Sequence, residues 1–385
     1  FNNQFIAQQT NQRDDEWGGS YENRMRLPVE IVRRTRAAVG PNFILIYRLS
    51  MLDLVEGGST MDEIVTLGKA IERAGASIIN TGIGWHEARV PAIATKVTRA
   101  AFTKLTAAFK NAVSVPVVTS NRINMPDVAE RVLAEGDADI VSMARPFLAD
   151  ADFVVKAREG RTDEINTCIG CNQACLDLVF QQQVTSCLVN PRAAHETEIE
   201  IVPSQSPKSI AVVGAGPAGL AYATTAARRG HQVTLFEAGE KIGGQLNIAV
   251  QVPGKEEFHE TIRYFRREIE LSGVMLKLNT RATPEALSGF DEVIMATGVH
   301  PRIPDIEGID HPKVLTYIDV LRDKAPVGKS VAVIGAGGIG FDVSEFLIHQ
   351  GPSASLDPVQ FAREWGIDLT VAPPGGLTGQ AQLPI

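Results

Sequence analysis

An apolar run, Ile210 to Val213, leads directly into Gly214-Ala-Gly216-Pro-Ala-Gly219 and then into a helix-forming stretch. A second apolar run, Val331 to Ile334, leads in the same way into Gly335-Ala-Gly337-Gly-Ile-Gly340. A strand that must turn at once into a helix needs glycines for the tight bend, and the first helical turn then offers unpaired amides to a phosphate. The repeated unit commits the second half of the chain to two dinucleotide-type folds in series, the second incomplete. Glu237 ends the next strand, VTLFE, where a carboxylate accepts from ribose hydroxyls. Gly243-Gly244-Gln245 and Ala296-Thr297-Gly298 join the first turn in a combination typical of FAD-binding proteins with two dinucleotide domains. The plain alternative is a glycine-bearing βαβ turn. The Gly335 turn would take NAD(P), and no strand follows it to carry the residue that selects NADH or NADPH.

Upstream, residues 20–165 alternate short β-branched runs with amphipathic stretches, the mark of βα units in a parallel sheet. Strands are expected at Phe43 to Arg48, Ser77 to Thr81, Val115 to Thr119 and Asp139 to Ala144. Thr60 to Glu63 reads as a capping box, followed by Ile64, Leu67, Gly68 and Ile71 at helical spacing. Polar residues close the strands: Arg48, the run from Asn80 to His86, Asn121 with Arg122, and Arg145. In a (β/α)8 barrel the chemistry sits at those carboxyl ends, and the visible units amount to half a barrel. His86, flanked by Trp85, Glu87 and Arg89, is either a structural hydrogen bonder or a group that binds a carbonyl oxygen or relays a proton. The arginines are either rim salt bridges or contacts to flavin or phosphate.

The only four cysteines stand in one stretch, Cys168-x2-Cys171-x3-Cys175-x11-Cys187. Four thiolates can saturate a [4Fe–4S] cube, and they can also close a structural zinc site. The uneven spacing favours iron–sulfur over paired zinc knuckles. This clustering is the wrong distribution for a secreted disulfide scaffold, so a reducing, cytoplasmic setting is expected. A net charge of −8 argues against nucleic acid or a membrane surface as partner. The stretch from Ile210 to Ala227 is uncharged but broken by glycine and proline, so no membrane span is expected. Both ends read as cut, which makes the chain an internal fragment.

The strings RDDEWGGSYENRMR, IYRLSMLDLVEGG, NTGIGWHEAR, TSNRIN, VSMARPFLAD, NTCIGCNQACLD and TSCLVNPRA, with both glycine turns, closely resemble the bacterial 2,4-dienoyl-CoA reductases. These are iron–sulfur flavoproteins of the old yellow enzyme and trimethylamine dehydrogenase superfamily, and the likeness runs over nearly the whole chain. It implies an α/β architecture: the C-terminal half of an FMN-binding (β/α)8 barrel over 1–165, an iron–sulfur segment and linker over 166–207, the first part of an FAD domain over 208–328, and a truncated NAD(P) domain over 329–385. It implies NADPH-dependent reduction of 2,4-dienoyl-CoA thioesters in fatty acid β-oxidation, with electrons passing from NADPH to FAD, cluster, FMN and substrate. By resemblance, His86 is the active-site histidine; Arg48, Arg122, Ala144 and Arg145 contact FMN; Cys168, Cys171, Cys175 and Cys187 ligate the cluster. Gly214, Gly216, Gly219, Glu237, Gly244, Gln245, Thr297 and Gly298 line FAD, and Gly335, Gly337 and Gly340 line the nicotinamide nucleotide. The family's catalytic tyrosine belongs upstream of Phe1. A related enoate or xenobiotic reductase, or an amine dehydrogenase with the same cofactors, is the enzymatic alternative. A zinc-binding, flavin-free electron-transfer or structural protein is the alternative of another class. Oligomeric state is not readable from these residues.

Overall fold

The first strand, β1 (Ile46–Leu52), begins three residues later than expected and runs four residues further. Phe43 and Ile44 are exposed, whereas Leu49, Met51 and Leu52 are fully buried, so the core contacts that hold a strand lie beyond Arg48. Arg48 is therefore a mid-strand residue, not a strand-end one. In this computed structural model, which describes residues 2–379, β1 pairs in parallel with β2 (Ile78–Ile83). β2 pairs with β3 (Val117–Thr119), and β3 with β4 (Ile140–Val141), all parallel, in the order β1-β2-β3-β4. The expected βα units are present as a four-stranded parallel sheet.

Between β1 and β2, the Met61–Arg73 helix starts at the expected capping box: the Thr60 hydroxyl accepts from the Glu63 amide, and the Glu63 carboxylate accepts from the Thr60 amide. Each interaction satisfies an amide the helix itself leaves unpaired. Ile64, Leu67, Gly68 and Ile71 are buried on one face. Gly68 is glycine for space, since a Cβ there would stand 2.5 Å from the Phe109 ring. Phe109 is completely buried, on the helix Thr103–Lys110. Phe109→Ala is expected to cost about 3–5 kcal/mol of stability, read as a lowered urea midpoint at unchanged slope.

The same core continues in a place the sequence did not indicate. Residues from Pro352 onward group with those up to Pro146, while Phe147 to Gly351 form a second unit. Phe361, Ala362, Ile367 and Val371 are buried in one cluster with Leu49, Leu54, Ile64 and Phe102. The backbone seals the contact: Leu54 N donates to Gly375 O at 3.1 Å, Met61 N to Val371 O at 3.0 Å, and Gly375 N to Ser59 O at 3.0 Å. The segment expected to form a truncated nucleotide domain, residues 329–385, is divided at Gly351 between the two units.

In the second unit, β5 (Ser209–Val213), β6 (Gln232–Phe236), β7 (Met275–Lys277) and β8 (Glu292–Met295) form a parallel sheet in the order β7-β6-β5-β8. The strand order with the Pro217–Arg228 crossover helix is that of the first half of a Rossmann fold. Ile210, Val212, Leu220, Ala223, Leu235 and Ile269 form its core. The second apolar run does not become a strand: Val331, Val333 and Ile334 are 47%, 41% and 74% exposed. Strand backbone needs neighbours for its amides and carbonyls, and no described strand pairs with it. The turn beyond it survives, because Gly337 still caps the helix Gly338–Ile348. Among the described residues, no helix is long and apolar enough to cross a membrane.

Candidate functional site

At the ends of β1 and β2 an open cavity of about 1190 Å³ is lined by Arg48, Ser50, Gly82, Trp85 and His86, among others. Arg48 and Ser50 lie on one face of β1, opposite the buried Tyr47 and Leu49. The Arg48 guanidinium lies against Gly82, where a Cβ would stand 3.3 Å from Nε. Gly84, with φ +74, turns the chain out of β2, and its amide donates to Leu52 O at 2.7 Å. That turn carries Trp85 and then His86, which is exposed. Arg48 and His86 are thereby brought to one cavity.

Arg122, Ala144 and Arg145 are outside the described lining of that cavity. Asn121 and Arg122 follow β3 in left-handed conformation, φ 73 and 55, and Arg122 is 5% exposed with Nε donating to Val97 O at 2.9 Å. Its guanidinium braces the loop before it. Ala144 is exposed after β4, and Arg145 opens the short helix Arg145–Ala149.

One residue with a defined place here carried no role in the sequence reading. Asp53, 1% exposed, accepts from Ser50 Oγ at 2.7 Å, Trp85 Nε1 at 2.8 Å and the Ser59 amide at 2.8 Å. The signal available was its position after an apolar strand and before Gly57-Gly58, a carboxylate in a chain that is about to turn.

In the second unit, three separate segments meet as expected. Gly214, with φ +105, could carry no side chain, since a Cβ would stand 2.4 Å from Ala296 O. A Cβ on Gly219 would stand 1.9 Å from Gly214 O, whereas one on Gly216 would meet no protein atom within 4 Å. Gly216 therefore marks the open side of the turn, where a pyrophosphate would approach. A Cβ on Gly244 would lie 3.1 Å from Gly216 Cα, and Gln245 Nε2 donates to Val299 O at 3.1 Å, next to Thr297 and Gly298. Glu237 accepts from the amides of Ala215 and Gly239, both at 2.8 Å. An ionised carboxylate still has acceptor positions to spare for a ribose. The Gly335 turn repeats the geometry: φ is +112 at Gly335, and a Cβ on Gly340 would stand 2.0 Å from Gly335 O.

The four cysteines lie on a folded-back stretch. Gly170 and Asn172 adopt φ 65 and 61, bending the chain between Cys168, Cys171 and the π-helical turn Gln173–Asp177 that carries Cys175. The return limb is stitched to it by Ser186 N donating to Ala174 O at 2.8 Å, and Asn166 Nδ2 donates to Val189 O at 2.7 Å beyond Cys187. None of the four is in a disulfide. Burial, reinforced by Cys168 and Cys175, raises the Cys171 thiol; burial, reinforced by Cys168 and Cys171, pushes Cys187 up to about 11. Thiols whose ionisation is opposed by burial and by one another are a donor set that a bound cation would deprotonate. Among the described residues, however, no three His, Cys, Asp or Glu side chains are gathered as a group that could hold a metal ion. The donor chemistry suits an iron–sulfur cluster.

Residues 1–164 match the NADH:flavin oxidoreductase / NADH oxidase family, and residues 208–356 match the pyridine nucleotide-disulphide oxidoreductases. The chain is 39% identical over 354 residues to a metal reductase of Desulforamulus reducens, covering 90% of this chain and 53% of that protein. It is 36% identical to an NADH oxidase of Thermoanaerobacter brockii, covering 95% and 57%. A solved complex of 2-naphthoyl-CoA reductase with 2-naphthoyl-CoA superposes with a TM-score of 0.87 at 38% identity, covering 90% of this chain and 54% of that one. The chain spans about half the length of these relatives.

Proposed function

The union of an NADH:flavin oxidoreductase segment with a pyridine nucleotide-disulphide oxidoreductase segment supports membership of the old yellow enzyme/trimethylamine dehydrogenase-like flavoproteins, and on that premise we propose an NAD(P)H-dependent reductase of conjugated acyl-CoA thioesters. The first substrate in this reading is a 2,4-dienoyl-CoA, with NADPH as reductant. The observation that carries it is the convergence of Arg48 and His86 on one cavity. Reducing a double bond conjugated to a thioester builds negative charge on the carbonyl oxygen, which hydrogen-bond donors and a cation stabilise. A cationic amine substrate would ask instead for a cage of aromatic faces, and among the described lining residues only Tyr47, which is buried, and Trp85 are aromatic. The likeness to 2-naphthoyl-CoA reductase also supports a thioester.

FMN in the cavity, FAD at the Gly214 turn and a [4Fe–4S] cluster held by Cys168, Cys171, Cys175 and Cys187 would together supply hydride and single-electron transfer. Arg48 holds negative charge at the cavity wall, and His86 donates to the thioester oxygen. Arg122, Ala144 and Arg145 are assigned to the flavin phosphate side, and the Gly335 turn to the nicotinamide nucleotide.

The test is anaerobic NADPH consumption by the cofactor-loaded protein, offered a 2,4-dienoyl-CoA, 2-naphthoyl-CoA, a free enoate or a secondary amine. Consumption with the dienoyl thioester is expected; turnover with the free enoate alone, or flavin reduction by the amine, overturns the reading. His86→Asn is expected to lower kcat about 100-fold at unchanged flavin content.

A further inference from the structure

Asp53 is a buried carboxyl group whose described hydrogen-bond donors are all neutral. Oδ1 accepts from Ser50 Oγ, Trp85 Nε1 and, at 3.4 Å, Asn3 Nδ2, while Oδ2 accepts from the Ser59 amide. Its own carbonyl accepts from the Trp85 amide at 3.2 Å. Asn3, Ser50 and Trp85 all line the cavity. No slack surrounds the group: a Cβ on Gly58 would stand 2.8 Å from Asp53 Cβ and 2.8 Å from Gly375 Cα. A desolvated carboxylate is tolerated only while its donors stay in place, so it fixes them as firmly as they satisfy it.

We propose that Asp53 is a positioning residue that sets the Trp85 indole into the cavity wall and, through both Trp85 N–H groups, fixes the turn presenting His86. This rests on reading the cavity as the flavin and thioester site. The indole edge is pinned, so its face is available as a rigid flat wall for a planar conjugated group. Asp53 itself touches none of the reacting atoms.

The experiment compares wild type, Asp53→Ala, Asp53→Asn, Trp85→Phe and the Asp53→Ala/Trp85→Phe double variant. Acrylamide quenching of tryptophan emission, with Trp85→Phe subtracted to remove the other two indoles, reports Trp85 alone. FMN affinity is read by flavin fluorescence on the same proteins. In Asp53→Ala, quenching of Trp85 is expected to rise and FMN affinity to fall roughly tenfold. Asp53→Asn keeps an acceptor for Trp85 but turns its Nδ2 toward the Ser59 amide donor, so it is expected to restore Trp85 quenching and FMN affinity in part, to values between alanine and wild type, which also guards against a misfolded alanine variant. The double variant is expected to bind FMN no worse than the weaker single, because both changes remove one interaction. Wild-type quenching in Asp53→Ala, or additive losses in the double variant, overturns the proposal. If wild type binds no FMN while Trp85 quenching still follows Asp53, the positioning role stands and the flavin reading of the cavity fails.

Discussion

Gly219→Ala is expected to unfold the second unit or leave it without FAD, while Gly216→Ala, three residues away, leaves it folded and still without FAD. The two substitutions add the same methyl group to the same turn. At Gly219 the methyl meets the Gly214 carbonyl, a backbone atom that cannot rotate aside. Moving it disturbs the start of the Pro217–Arg228 helix and the β5 end together, at a cost of about 3 kcal/mol or more. At Gly216 the methyl meets no protein atom, and φ of −77 is ordinary for alanine. Its only obstruction is to what approaches from outside. Urea unfolding should separate the pair, and flavin extraction with chromatographic identification should unite them. A Gly216→Ala protein that retains stoichiometric FAD would remove the pyrophosphate from this turn.

The second large effect is expected at the cysteines. Cys171→Ser should bring bound iron to near zero and abolish the broad visible absorbance of the cluster, with FAD at the Gly214 turn retained. The reason is the donor set: a cube needs four sulfurs, and a serine hydroxyl neither ionises nor binds iron comparably. Metal and acid-labile sulfide analysis of wild type and variant is the measurement. Stoichiometric zinc with no iron in the wild type would make the four cysteines a structural zinc site and dismiss single-electron transfer through this loop.

What was legible in the sequence was local. The Thr60 capping box and the glycine turns depend on residues within a few positions of one another and formed where expected, and the four βα units formed with strand bounds shifted by up to four residues. The meeting of Gly214, Gly244 and Gly298 was also legible, because the glycines are required by close backbone approach and so mark it. Arg48 was misplaced because strand length is decided by burial, and Leu49 to Leu52 are buried by partners distant in sequence. Val331 to Ile334 has strand composition and no strand, since a strand exists only with a neighbour. The role of Asp53 depends on an indole 32 residues away, and nothing in either string announces the other. The folding-back of Cys187 toward Cys175 was implied by the ligand pattern, but how tightly the thiols group is set by hydrogen bonds that the spacing does not encode.

The return of the chain at Pro352 makes one unit an insertion within the other, and this has a consequence for how the protein is made. The Leu54 amide finds its acceptor at Gly375, and the buried face of Leu49 and Ile64 finds Phe361 and Val371. During synthesis the first unit therefore emerges with an open seam that stays open while the inserted unit, Phe147 to Gly351, is added. At about 5–20 residues per second that interval is on the order of half a minute. Apolar surface left uncovered for so long is a chaperone substrate, whereas the inserted unit has its own sheet and core in sequence from Ser209 onward. The later-made unit is thus the one able to fold first, and the earlier-made one is completed only once Phe361 to Gly375 have been added.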